Sequence, residues 1–175
     1  MRQLFGTDGI RAKAHQYPLD PATMFALGEA LAHRLRNGDG KPRILLGMDT
    51  RESGEEIARS LSAGMDAGGA EAVLVGVIPT PGIAYLCRTT DAAASISISA
   101  SHNPFADNGV KIFGHDGMKL PDAIEEEIED EQRALAAAFD PNRVEPEFYE
   151  NPYPLYAALR RFHPGHRWPE GSCFL

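Results

Sequence analysis

The sequence is poor in sulfur and in large aromatic side chains. Its 175 residues include 2 cysteines, Cys87 and Cys173, and 1 tryptophan. Neither cysteine belongs to a CxxC pair, which excludes zinc-ribbon and dithiol redox motifs. Two isolated thiols suit a reducing, cytoplasmic setting. Positive charge is also scarce: 17 Lys and Arg stand against 25 Asp and Glu, for a net charge of −8. So acidic a chain lacks the broad basic surface that nucleic acid demands. A small phosphorylated ligand needs only a local cluster of cations and amides, so it is not excluded. Long apolar runs are missing as well. No stretch approaches a membrane span, and Met1-Arg2-Gln3-Leu4 opens without the apolar core of a secretory leader. The chain is therefore expected to be cytoplasmic, with neither membrane nor nucleic-acid partners. No repeat or low-complexity tract interrupts it. What is present, 43% apolar and 24% charged residues, is the composition of a globular domain with one good core.

Hydrophobic periodicity divides the chain into alternating elements. Asp20 can cap a helix that Pro21 opens, with Met24, Leu27, Leu31 and Leu35 at helical spacing and Asn37-Gly38 at its end. His33 on that helix reads as a surface or packing residue. Arg43 to Met48 reads as a buried strand, followed by Asp49-Thr50-Arg51. Ser53 and Glu56 have the spacing of a capping box for a helix bearing Ile57, Leu61 and Met65, which Gly68-Gly69 closes. Ala72 to Val77 reads as another buried strand. Pro79-Thr80-Pro81 then turns into a helix from Ala84 that buries Cys87, with Thr80 hydrogen-bonded locally. Gly114 to Gly117 is a hairpin turn with His115 exposed. Pro121 opens an acidic helix through about Phe139, with Ile124, Ile128 and Leu135 inward and Glu125-Glu126-Glu127 on the solvated side.

The order strand, helix, strand, helix predicts an α/β class domain over residues 1–140. It is expected to be a layered α/β/α domain with a mixed, mostly parallel sheet of about four strands. Prolines at 141, 146, 152 and 154 mark residues 141–175 as a linker leading to the start of a further domain. His163 and His166 lie in a proline- and glycine-rich stretch that reads as a disordered tail, with weak metal binding as the alternative.

Chemistry concentrates in Ser95-Ile96-Ser97-Ile98-Ser99-Ala100-Ser101-His102-Asn103-Pro104 and its continuation to Gly114. Small residues alternating with isoleucine make a buried strand. Asn103-Pro104 and Asp107-Asn108-Gly109 break it into a polar tip, and Val110-Lys111-Ile112-Phe113 returns. Such loops at the carboxyl ends of strands are where α/β folds hold ligands. Ser101 is the candidate nucleophile. A serine hydroxyl is weak alone, and His102 or Lys111 can supply a base or a cation. A polar turn that merely satisfies its own backbone is the plainer alternative.

Ser-Ala-Ser-His-Asn-Pro followed by Asp-Asn-Gly-Val-Lys resembles the phosphoserine loop of the α-D-phosphohexomutase superfamily. Three further signatures support the likeness: Phe5-Gly6-Thr7-Asp8-Gly9-Ile10-Arg11, Gly47-Met48-Asp49-Thr50-Arg51-Glu52-Ser53-Gly54, and Val77-Ile78-Pro79-Thr80-Pro81-Gly82. The first of these is most similar to the phosphoglucosamine mutase branch, although Ala12 stands where glycine is usual. Together they span the amino-terminal domain of such enzymes.

The resemblance implies an isomerase that interconverts 6-phospho and 1-phospho sugars, with glucosamine phosphate favoured, through a bisphosphorylated intermediate. Ser101 would carry the phosphoryl group. Arg11 and Lys111 would hold negative charge or help move a proton, and His102 would orient the loop or aid proton transfer. Arg11, Lys111, Asn103 and Arg51 are the expected phosphate-binding residues, with support of the loop as the alternative for Arg51. Mg²⁺ would bind through the Ser101 phosphate, but the carboxylate loop that completes the site belongs to a further domain. Metal binding by this chain is therefore expected to be weak or absent. The sugar-hydroxyl and phosphate loops also belong to other domains, so this domain by itself is not expected to be a working enzyme, and those domains become expected partners together with a phosphorylated hexose or hexosamine. Phosphoglucomutase or phosphomannomutase activity, a non-catalytic phosphosugar-binding remnant, and a phosphatase are the competing readings.

Overall fold

Why the serine loop stands where it does follows from a computed structural model that describes residues 4–36, 38 and 40–137. The expected linker at 141–175, with Cys173, His163 and His166, lies outside the described residues. The element order is β1 (Ile10–Lys13), α1 (Pro21–Leu35), β2 (Arg43–Met48), α2 (Gly54–Ala67), β3 (Glu71–Val77), α3 (Thr80–Thr89), β4 (Ala94–Ile98), β5 (Asp107–Gly114) and α4 (Asp122–Ala137).

The strands form one sheet of 5, ordered β1-β5-β4-β2-β3. β2 pairs in parallel with β3 and β4, while β5 pairs antiparallel with β4 and β1. The α/β class and the mixed sheet are those expected from the sequence. The extra strand comes from the amino-terminal signature, whose Ile10 and Arg11 pair with Val110 and Gly109. Parallel and antiparallel pairings are consequently equal in number.

Alternation along each strand sets the two faces. Ile44, Leu46, Ile96, Ile98, Val110 and Ile112 point to one side and pack with Met24, Leu27, Leu31, Ile57, Leu61 and Ile128 of α1, α2 and α4. Each such side chain, fully buried, contributes about 1.5–3 kcal/mol. α3 covers the opposite face, where Ile83 and Cys87 meet Leu45 and Ala92. α1 and α2 touch backbone to backbone. A Cβ at Gly64 would lie 1.9 Å from the Phe25 carbonyl oxygen, and one at Gly28 would lie 2.3 Å from that of Leu61.

Asp20 caps α1 by accepting from the Thr23 amide at 3.0 Å, as its position predicts. Five local expectations change. Asp107-Asn108-Gly109, expected as a turn, opens β5 instead, because its residues find strand partners in Lys13, Ala12 and Arg11. β3 is an edge strand, not a buried one, and leaves Leu74 60% and Val77 68% exposed. α3 begins at Thr80, before Ala84, because proline suits the first turn of a helix. Ser53 makes no side-chain cap, since its hydroxyl accepts from Asn108 Nδ2 at 2.9 Å. Glu125 is 0% exposed instead of solvated, and it pairs with Lys119 Nζ at 2.8 Å.

Candidate active site

Strand ends converge beyond β2 and β4. Asp49 follows β2, and its amide donates to the Ile98 carbonyl at 3.0 Å, so the exits of the two strands lie side by side. Ser99 follows β4, and its amide donates to the Gly109 carbonyl at 2.9 Å. Across Gly109 on the next strand stands Arg11. A Cβ on Gly109 would lie 2.8 Å from the Ser99 carbonyl oxygen and 3.2 Å from Arg11 Cγ. Glycine is required there by close approach from both sides.

Ser101 sits on the exposed tip with φ 56, a left-handed conformation that few non-glycine residues adopt. Two supports hold it there. The first comes from behind: the Ser99 hydroxyl donates to Asp49 Oδ2 at 2.7 Å and accepts the Ser101 amide at 3.0 Å. The second is Arg51, whose side chain is only 9% exposed. Its Nε donates to Asp49 Oδ2 at 3.1 Å. Its Nη1 donates to the carbonyls of Pro104 at 2.6 Å and Asp107 at 2.8 Å. Its Nη2 donates to those of Ser101 at 3.1 Å and Asn103 at 2.9 Å. A guanidinium has five N–H groups, and all of them are spent here. In this geometry Arg51 supports the loop, and no donor is left over for an anion.

Asn103 also turns inward. Its Nδ2 donates to Asp107 Oδ2 at 3.1 Å, which closes the loop on itself instead of offering that donor to an anion. Asn108 is buried and ties the loop to α2 through Ser53, while its Oδ1 accepts the Gly109 amide at 2.8 Å. The Ser101 hydroxyl and the His102 side chain are exposed, and neither has a hydrogen-bond partner among the described residues.

Arg11 and Lys111 meet through a residue to which the sequence assigned no role. Asp8 Oδ2 accepts from Lys111 Nζ at 2.6 Å and from Arg11 Nη2 at 2.9 Å. The Lys111 ammonium, hydrogen-bonded to Asp8, holds its carboxyl below the usual carboxylate range. Burial opposes this and is outweighed by that bond together with the charges of Lys111, Arg11 and Lys119. Asp8 occupies a tight turn closed by the Gly6 amide on the Gly9 carbonyl at 2.9 Å. Gly9 has φ 88, and a Cβ there would lie 2.4 Å from the Val110 carbonyl oxygen. The two glycines around Asp8 were a readable signal of this close approach.

On the α3 side, Thr80 Oγ1 and Ser97 Oγ of β4 lie 2.8 Å apart, a bond between elements where the sequence suggests a local one. Burial pushes the Cys87 thiol up, and its Sγ donates to the Gly114 carbonyl at 3.2 Å, as suits a packing residue.

No group of 3 or more His, Cys, Asp or Glu among the described residues can hold a metal ion. No described helix is long and apolar enough to cross a membrane.

Residues 2–138 match the family described as phosphoglucomutase/phosphomannomutase, alpha/beta/alpha domain I. The chain is 54% identical over 129 residues to the phosphoglucosamine mutase of Koribacter versatilis, covering 74% of this chain and 28% of that protein. It is 43% identical over 165 residues to the phosphoglucosamine mutase of Deinococcus radiodurans, covering 93% and 37%. A crystal structure of a phosphoglucomutase/phosphomannomutase family protein from Burkholderia thailandensis superposes with a TM-score of 0.64 at 26% identity, over 78% of this chain and 31% of that one. The chain thus spans about a third of the length of these proteins.

Proposed function

The chain belongs to the phosphoglucomutase/phosphomannomutase family, matching its α/β/α domain I, and from that premise we propose that it is the phosphoryl-carrying domain of a phosphosugar mutase. Glucosamine 6-phosphate and glucosamine 1-phosphate are the favoured substrates, on the names of two similar relatives. The observation that carries the reading is Ser101, held at φ 56 on an exposed tip by a mostly buried guanidinium whose donors all go to the loop's carbonyls and to Asp49.

As the bond between phosphorus and Ser101 Oγ breaks, the free hydroxyl of the sugar takes the phosphoryl group, its proton passes to a nearby base, and Ser101 Oγ gains a proton to end as a hydroxyl. The bisphosphorylated sugar reorients, and Ser101 Oγ takes back the other phosphoryl group. Such transfers depend on placement and charge neutralisation more than on covalent assistance. Lys111 and Arg11 supply the neutralising charge. His102, with no partner among the described residues, is the group at hand to accept a proton. Arg51, Asn103 and Asp49 shape the loop without touching substrate.

Magnesium, which the family implies, does not fit the described residues by themselves. Asp49 is taken by Ser99 and Arg51, Asp107 by Asn103, and Asp8 by two cations. A phosphorylated Ser101 would offer oxygen ligands but no carboxylate beside them. No step above is routed through a metal.

The remaining domains and a phosphorylated hexosamine are the proposed partners, in a cytoplasmic setting. Intact-mass measurement with site mapping tests the reading, before and after incubation with glucosamine 1,6-bisphosphate. The expected result is one phosphoryl group on Ser101, absent in Ser101→Ala. Uptake that survives in Ser101→Ala, or no uptake by the native chain, overturns it. The Burkholderia thailandensis likeness favours a second sugar class, and the bisphosphates of glucose and mannose in the same assay decide between them.

A further inference from the structure

Arg11 and Lys111 share one carboxylate oxygen, Asp8 Oδ2, at 2.9 and 2.6 Å. That carboxylate belongs to a turn between two glycines and is 54% exposed, whereas Lys111 and Arg11 are 21% and 30% exposed. The anion is therefore the most exposed member of the trio. Arg11 is not fully satisfied in this arrangement, because its Nε is buried with no acceptor among the described residues. A buried donor left unpaired is costly, so Arg11 stands to gain from a different set of acceptors.

The geometry points to Asp8 as an internal counter-anion that occupies the Arg11–Lys111 pair while the site is empty and surrenders it to phosphoryl oxygens. This rests on the reading above, that these two cations receive a phosphoryl group, and adds the residue that competes for them. Like charges brought together are unfavourable without an anion between them, and Asp8 removes that penalty in the empty state. A dianionic phosphoryl group offers more charge and more acceptor oxygens than one carboxylate, so it wins the exchange. Lys119 also acts on Asp8 through charge, but its own ammonium is committed to Glu125 at 2.8 Å.

Equilibrium binding of inorganic phosphate to the 175-residue chain tests the exchange and does not require Ser101 to react. Asp8→Asn is expected to bind phosphate about three- to fivefold more tightly, the range open to a partly exposed ion pair. Lys111→Met is expected to bind it more weakly. A residue that merely built the turn would give the opposite sign on substitution. Equal or weaker binding by Asp8→Asn overturns the proposal, and so does the absence of phosphate binding in both the native chain and the variant. In the native chain, the carboxyl carbon of Asp8 followed by NMR should titrate at a higher pH once phosphate is bound, as Lys111 leaves it. An unchanged midpoint also overturns it.

Discussion

Arg51 Nη2 donates to the Ser101 carbonyl at 3.1 Å across 50 residues of sequence, and this bond joins the loop after β2 to the tip after β4. The tip has no regular secondary structure of its own. Its carbonyls are gathered by one guanidinium, so its shape depends on a planar, rigid donor fork that lysine cannot reproduce.

Arg51→Lys should therefore behave almost as badly as Arg51→Ala. Each is expected to cost about 2 kcal/mol, the scale of charge-assisted hydrogen bonds lost at a mostly buried site. Urea unfolding would measure the loss. Amide exchange at Ser101 to Asn103 should rise in both variants before global unfolding does, and a lysine variant with native exchange would contradict the clamp.

Ser99→Ala removes the hydroxyl that links Asp49 to the Ser101 amide. It is expected to cost about 1 kcal/mol and to slow phosphoryl uptake at Ser101 with the circular dichroism spectrum unchanged. Uptake at the native rate would show that Ser101 is placed without this relay.

Ser101→Gly should raise stability while abolishing uptake. At φ 56 a serine is strained and glycine is not, and relief outweighs the added freedom of the unfolded chain by about 0.5 kcal/mol. A thermal melt decides the sign. Ser101→Ala keeps the strain and should show no such gain.

Gly64→Ala places a methyl group 1.9 Å from the Phe25 carbonyl oxygen, against backbone that cannot swing aside. The overpacking is expected to cost about 3 kcal/mol or more. A melting temperature within experimental error of the native value would mean that α1 and α2 can separate cheaply.

Stability should fall in acid partly through Asp8. Its carboxyl titrates below the ordinary value because of its hydrogen bond to Lys111. The contribution is fully present above the unfolded value of about 4 and is lost as pH drops through the lower folded value. Denaturant unfolding from about pH 5 down to pH 2 should show a shallower decline in Asp8→Asn than in the native chain, and parallel curves would rule the contribution out.

Much of this molecule is written locally. The N-cap at Asp20, the apolar runs of β2 and β4 and the helical stripe Met24, Leu27, Leu31 each depend on neighbours within a few residues. For the same reason Ser101, His102, Lys111 and Arg11 could be singled out by residue type and motif. The misread elements have a common cause. Ser53 has the spacing of a capping box, but Asn108 competes for its hydroxyl from 55 residues away. Glu125 belongs to an acidic run, yet Lys119 and the packing of α4 against α1 make burial tolerable. β3 is as apolar as β2, and composition does not say which of two apolar strands ends a sheet.

The sequence by itself determined the α/β order and singled out the serine loop on which the proposed chemistry rests, because periodicity and residue motifs act over short stretches of chain. Only the tertiary structure decided what each charge near that serine is for. Arg51 became a clamp, Asn103 a loop closure and Asp8 the bridge between Arg11 and Lys111. A charged group's role is set by the partners it meets, and Asp8 and Lys111, 103 residues apart, meet only when β1 pairs with β5.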